Sequence, residues 1–241
     1  MEDLIVLSVM LGTFLPLVLL VAACKRPARW RFVGLAVVFI ILDFYLTSYG
    51  FDLQEACTKV LHWNWFGKLG SIALGSAVLW RLPDLRREAG AVWKQNRGTL
   101  GFSLAATLAL AGAAVWLTRD ASRAPFRLET ILFQALMPSL SEEIAFRGIL
   151  LALLTRAFGD IGKIKDIPVS WGVPLLVVFF GLGHAVYWAS GSLHLSGEAL
   201  LYTGGVGAVI MAVRVASGSI LIPIFMHSVF NLFVSVLPMI K

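Results

Sequence analysis

Residues 129–155 read ETILFQALMPSLSEEIAFRGILLALLT, and the fold turns on how this stretch is read. Beyond Glu129 at its start, its only charges are Glu142, Glu143 and Arg147, set inside a run otherwise apolar enough to span a bilayer. Charge at that depth is expensive, roughly 2.5–3.5 kcal/mol per residue even on the lenient insertion scale. Such groups are expected only where they face a bundle interior or a water-filled cavity.

The rest of the chain agrees with a membrane reading. Of its 241 residues, 59% are hydrophobic and 14% charged, and mean hydropathy is +0.84, whereas soluble domains are roughly half apolar and a quarter charged. Charge-poor runs predict spans near 4–24, 32–49, 66–80, 98–118, 129–155, 169–189, 199–215 and 219–238. The expected fold class is all-α, a polytopic membrane helix bundle of about eight spans enclosing an intramembrane cavity. It is read as a single integral-membrane domain over 1–241, with a motif-bearing core at about 128–238. The third span is short, and Lys68 at its edge is expected to snorkel. Trp30, Trp80, Trp116, Trp171 and Trp188 fall near span ends, where indoles anchor at the interface.

Leu20–Cys24, LVAAC, has the small residues that can precede a lipoprotein cysteine. The residues before this span are acidic (Glu2, Asp3), and the basic cluster Lys25, Arg26, Arg29 and Arg31 follows it, the reverse of a signal peptide. A retained first helix is expected. Loops 25–31, 81–97 and 156–168 carry twelve Lys and Arg against five on the opposite side (Lys59, Arg119, Arg123, Arg127, Lys241), which predicts non-cytoplasmic termini; the membrane is expected to be a bacterial or archaeal cell membrane. The net charge of +6 is thus an orientation signal, and no basic stripe interleaved with aromatics suggests nucleic acid. Loop 81–97 has apolar residues at helical spacing and reads either as a membrane-surface helix or as a solvated connector. Cys24 and Cys57 lack metal-ligand spacing and are expected to pack.

Three polar groups inside the spans carry chemistry. Glu143 and Arg147 stand four apart on one helix face and neutralise each other. Glu142 is turned ~100° away and has no cation nearby in sequence. A desolvated carboxylate beside a second one is a candidate general base; the alternative is that both glutamates bind arginines of neighbouring helices. On the sixth span, Phe180 and His184 are four apart, so the phenyl ring can fix the imidazole plane, while Gly181 and Gly183 permit close backbone approach. On the eighth, His227 and Asn231 face one way and can donate to a developing oxyanion, present metal ligands, or clamp two helices. Asp43 and Arg214 are expected to pair or snorkel, His62 and His194 fall in loops, and Gly204, Gly205 and Gly207 are expected to allow tight helix packing.

The ordered set EExxxR, FxxxH and HxxxN, here Glu142-Glu143 to Arg147, Phe180 to His184 and His227 to Asn231, resembles the CAAX protease and bacteriocin-processing (CPBP) family of intramembrane endopeptidases, related to the type II CAAX prenyl endopeptidase. The resemblance covers residues ~128–238. It implies peptide-bond hydrolysis within the membrane by a glutamate-activated water: Glu142 as general base, His184 positioning the water, His227 and Asn231 stabilising the oxyanion. Glu143 and Arg147 would brace the site and Phe180 would pack beside His184. The implied partners are a membrane-associated peptide or protein substrate and the lipid bilayer. No cofactor is implied, although the family was long described as metal-dependent, which keeps zinc as an alternative. His184 sits toward the non-cytoplasmic end of its span, whereas family members acting on prenylated tails work from the cytosol; a deep cavity, an outward-facing site or an inverted orientation would each reconcile the two. A proton relay or transporter, since Glu and His chains also move protons, and a non-catalytic immunity or scaffold protein are the competing functions.

Overall fold

The computed structural model describes residues 2–24 and 28–241, so Lys25 and Arg26 of the basic cluster lie outside the described residues. Each expected span coincides with helix over most of its length. In chain order these are α1 (Glu2–Cys24), α2 (Trp30–Cys57), α3 (Trp65–Arg81), α5 (Leu100–Thr118), α6 (Leu128–Glu142) running into α7 (Leu151–Phe158), α8 (Gly172–Ala185), α9 (Gly197–Ser217) and α10 (Leu221–Val236). Among the described residues, five helical segments, Asp3–Cys24, Trp30–Cys57, Leu100–Thr118, Gly197–Ser217 and Leu221–Met239, are long and apolar enough to cross a membrane, and α8 is a shorter apolar helix. Boundaries follow local chemistry. The Asn64 side chain caps α3 by accepting from the Gly67 N–H, Ser196 caps α9 by accepting from the Ala199 N–H, and α9 stops at Gly218, whose φ of 72° is left-handed.

The stretch 129–155 is not one continuous α-helix. Between α6 and α7 lies a π-helical segment, Glu143–Leu150, so the wider turn begins immediately after Glu142. Single π turns inside helices recur at functional sites because they re-aim side chains. This central rod packs against α2, α3, α8, α10 and the short helix α4 (Pro83–Glu88). One apolar cluster, including Phe14, Phe39, Ile149, Leu154, Leu176 and Phe179, surrounds it; a second, with Leu110, Ala114, Ile210, Val213, Met226 and Phe230, joins α5, α9 and α10.

Two hairpins were not legible in the sequence. β1 (Asp160–Ile164) pairs antiparallel with β2 (Ile167–Ser170), and β3 (Val186–Ala189) with β4 (Ser192–Leu195), so the sixth span ends at Ala185 and His194 lies on a strand. Loop 81–97 is neither a surface helix nor a free connector. Its short helix α4 (Pro83–Glu88) buries Leu85, and Ala89 just beyond is buried too. Gly90 then turns with φ +69°, and any Cβ there would strike the Arg214 guanidinium, which donates to the Glu88 and Arg147 carbonyls. Arg214 therefore neither snorkels nor pairs with a carboxylate; it staples α9 to the rod. Both cysteines are exposed rather than packed.

Contacts sort the loops onto two faces. The Arg29 N–H donates to the Ala157 carbonyl and Arg156 pairs with Glu88, joining the residues just before α2 to loops 81–97 and 156–168. Opposite, Glu129 accepts from the His62 and Trp63 N–H groups and from Trp65 Nε1, while Lys241 donates to the Thr118 and Arg119 carbonyls. These are the groupings that the alternation of the expected spans implies.

Candidate active site

The three motifs converge. α6 delivers Glu142 at its last residue, α8 delivers His184 one residue before its end, and α10 delivers His227 and Asn231 from one face. Glu142 Oε2 lies 4.0 Å from His184 Nε2 and 3.9 Å from His227 Nε2. Each imidazole has its other nitrogen committed: His184 Nδ1 to the Phe180 carbonyl at 2.9 Å, and His227 Nδ1 to Glu143 Oε1 at 2.8 Å. Both acceptors fix the proton on Nδ1, so the Nε2 of each ring is the atom presented to Glu142.

Behind this face lies a second tier. Arg147 bonds Glu143 Oε1 at 3.2 Å with both side chains essentially inaccessible (1% and 0%), and its other arm donates to the Gly207 carbonyl. The guanidinium stacks 4.0 Å over the Phe180 ring, which contacts His184 at 4.6 Å between centroids and meets His227 edge-on at 6.4 Å. Glu143 is thus held by Arg147 and in turn holds His227, and Phe180 braces both imidazoles. The π segment carries Glu143 and Arg147, both buried, while Glu142, one residue earlier, lines the cavity.

That cavity, of about 460 Å³, is lined by Glu142, His184, His227 and Asn231 and extends past Gln134 and Ser235 to Trp63 and Asn64. It therefore runs toward the less basic face. A smaller chamber of about 240 Å³, lined by Phe39, Asp43 and Phe146, shares Lys68, Glu142, Phe180 and His184 with it.

Lys68 is the site residue that sequence reasoning missed. It does not snorkel. Its Nζ lies 2.8 Å from Glu142 Oε1, so Glu142 has a cation after all, supplied by another helix. The signal was present as two unpaired intramembrane charges of opposite sign, but their separation in sequence hid it. Asp43, also without a partner in the sequence, accepts from the Ser71 hydroxyl. Of the glycines expected to pack, Gly181 and Gly204 approach one another and Gly207 lies against Phe180 and Arg147, while a Cβ on Gly205 would meet nothing.

A metal fits this donor set poorly. Among the described residues no group of three or more His, Cys, Asp and Glu side chains is spaced to hold one. The Lys68 ammonium on Glu142 also opposes a second cation there.

Residues 124–233 match the family model described as Rce1-like, type II CAAX prenyl endopeptidase Rce1-like. No curated protein and no solved structure matches the chain. The matched segment holds all three motifs, and at family level it is consistent with a CAAX-type intramembrane protease of the CPBP family, a hydrolase of peptides or proteins in a bilayer.

Proposed function

We propose that the chain, from that family match and the geometry of its site, is an intramembrane endopeptidase hydrolysing a peptide bond in a membrane-associated peptide or protein tail with a water activated by Glu142. The observation that carries this reading is the convergence of His184 Nε2 and His227 Nε2 on one oxygen of Glu142, at 4.0 and 3.9 Å, on the wall of a cavity. A water ~2.8 Å from two such atoms subtends about 90° between them at this separation, which is the spacing one bridging water needs.

In this mechanism Glu142 takes one proton from the water as the water oxygen attacks the carbonyl carbon, while the remaining O–H donates a hydrogen bond to His184 Nε2, which aims the lone pair. Asn231, together with His227 in its protonated form, donates to the tetrahedral oxyanion. Glu143 fixes the His227 ring through Nδ1, and Arg147 holds Glu143. Glu142 then returns its proton to the leaving amine, and the C–N bond breaks. No metal takes part.

The run of the cavity toward Trp63, Asn64 and Ser235 supports entry from the less basic face. With the basic loops in the cytoplasm, that face is external and both termini lie on it. An exported peptide precursor or a C-terminal sorting tail then suits the site better than a cytosolic prenylated tail. The test is cleavage, in proteoliposomes, of three internally quenched peptides: a leader-bearing precursor, an apolar C-terminal sorting tail and a farnesylated CAAX tail. Glu142→Gln and His184→Ala should each abolish cleavage with insertion and abundance unchanged. Full activity in either variant refutes the mechanism.

A further inference from the structure

We infer that Lys68 is a positioning residue for the reaction: its ammonium grips one oxygen of Glu142, holds the group as a carboxylate and leaves the other oxygen to work between the two histidines. The inference rests on Glu142 being the general base.

Lys68 stands in the first turn of α3, on a helix that carries none of the three motifs. Its Nζ is 2.8 Å from Glu142 Oε1, with the two side chains only 19% and 15% exposed. The contact divides the carboxylate. Oε1 is taken by the ammonium, and Oε2 is the oxygen that faces His184 Nε2 and His227 Nε2. A carboxylate held at one oxygen cannot rotate freely, so Lys68 sets the direction of the other.

The surroundings explain why a cation is needed. Glu143 follows Glu142 directly, and Asp43 on α2 lines the same smaller chamber as Lys68 and Glu142. Three carboxyl groups therefore share this region. Arg147 is committed to Glu143 and the Gly207 carbonyl, and Arg214 to the Arg147 and Glu88 carbonyls. Among the described residues Lys68 is the one lysine or arginine paired with Glu142. Without it, a carboxylate beside like charges in apolar surroundings escapes by taking a proton, and a protonated carboxyl is no base. His184 and His227, the remaining titratable neighbours, do not replace Lys68, because both face the other oxygen.

The test compares Lys68→Met, Lys68→Arg and Glu142→Gln by pH–rate profile on the panel peptide that the wild type cleaves fastest, and by infrared spectroscopy, which needs no substrate. Lys68→Met should lose about 10²-fold in kcat at neutral pH, with the acid limb of its profile displaced to higher pH and KM little changed. Lys68→Arg should keep the wild-type profile. In the infrared, Lys68→Met at neutral pH should gain a protonated-carboxyl band that disappears in the Lys68→Met/Glu142→Gln double variant. An unmoved profile and no new band overturn the inference, as does a rise in KM alone, which would make Lys68 a substrate contact. Should Lys68→Met not fold, the double variant decides: restored folding identifies the orphaned carboxylate as the cause, and continued failure assigns Lys68 to packing and overturns the inference. Failure of the underlying mechanism looks different, because Glu142→Gln itself would then cleave.

Discussion

Gly207 offers a controlled perturbation of the site from a helix that supplies no catalytic group. A Cβ added there would lie 2.8 Å from Phe180 Cδ1 and 3.0 Å from Arg147 Nη2, where ordinary contact begins near 3.4 Å. The Phe180 ring must retreat by about 0.6 Å, and overpacking of this kind costs roughly 1–3 kcal/mol. Against that stands the better helix propensity of alanine, at most about 1 kcal/mol. Gly207→Ala should therefore be neutral to about 2 kcal/mol less stable, which for a chain of this size lowers Tm by a few degrees. The catalytic effect should be larger. Phe180 touches His184 and Arg147, and misplacing a reacting group by about 1 Å costs on the order of 10²-fold, so a loss of tenfold or more in kcat is expected. Gly205, two residues earlier on α9, is exposed and a Cβ there would meet nothing. Gly205→Ala is the matched control and should keep full activity with unchanged or slightly raised stability. Thermal unfolding in detergent and single-turnover cleavage in proteoliposomes measure the two effects separately. Equal activity and equal Tm in the two variants would falsify the argument that Phe180 aims His184.

Asn231→Ala should lower kcat by about 10²–10³ with KM little changed, the loss of one oxyanion donor; a wild-type rate removes that role. Chelator treatment should leave turnover intact and elemental analysis of the purified protein should find no stoichiometric metal, whereas a bound metal whose removal stops cleavage would replace the water mechanism with a metal-assisted one. Cys24 and Cys57 are both exposed, at the ends of α1 and α2 that the loop contacts place on opposite faces. In intact cells a membrane-impermeant maleimide should label the single-cysteine variant retaining Cys57 and spare the one retaining Cys24; the opposite pattern inverts the orientation and sends the cavity to the cytosol.

Much of this protein is legible along the chain because a bilayer imposes strong one-dimensional rules. A backbone in hydrocarbon must satisfy its own hydrogen bonds, so apolar runs of sufficient length become helices, and a helix stands at each of the eight expected places, the fifth interrupted by a π segment and the sixth ending early at Ala185. The same solvent makes Glu142, Glu143, Arg147, His184, His227 and Asn231 conspicuous, since each would otherwise carry a transfer penalty. Spacing of four residues within a helix correctly paired Glu143 with Arg147 and Phe180 with His184. Hairpins β1–β2 and β3–β4 escaped notice because their strands are only four or five residues long, too short for an alternating pattern to stand out from a loop.

What periodicity cannot supply is the partner across the bundle. Lys68 and Glu142 are 74 positions apart, yet 2.8 Å separate their charged atoms. Arg214 reaches back to the carbonyls of Glu88 and Arg147, and His227 to the Glu143 carboxylate. Even within one span the π turn after Glu142 is invisible in the letters, though it separates a cavity-facing carboxylate from a buried one. Composition and helical period belong to the chain alone and named the groups that must be withdrawn from lipid. Which group neutralises which, and which oxygen is left free, depends on how the helices approach one another, and only the assembled bundle decides it.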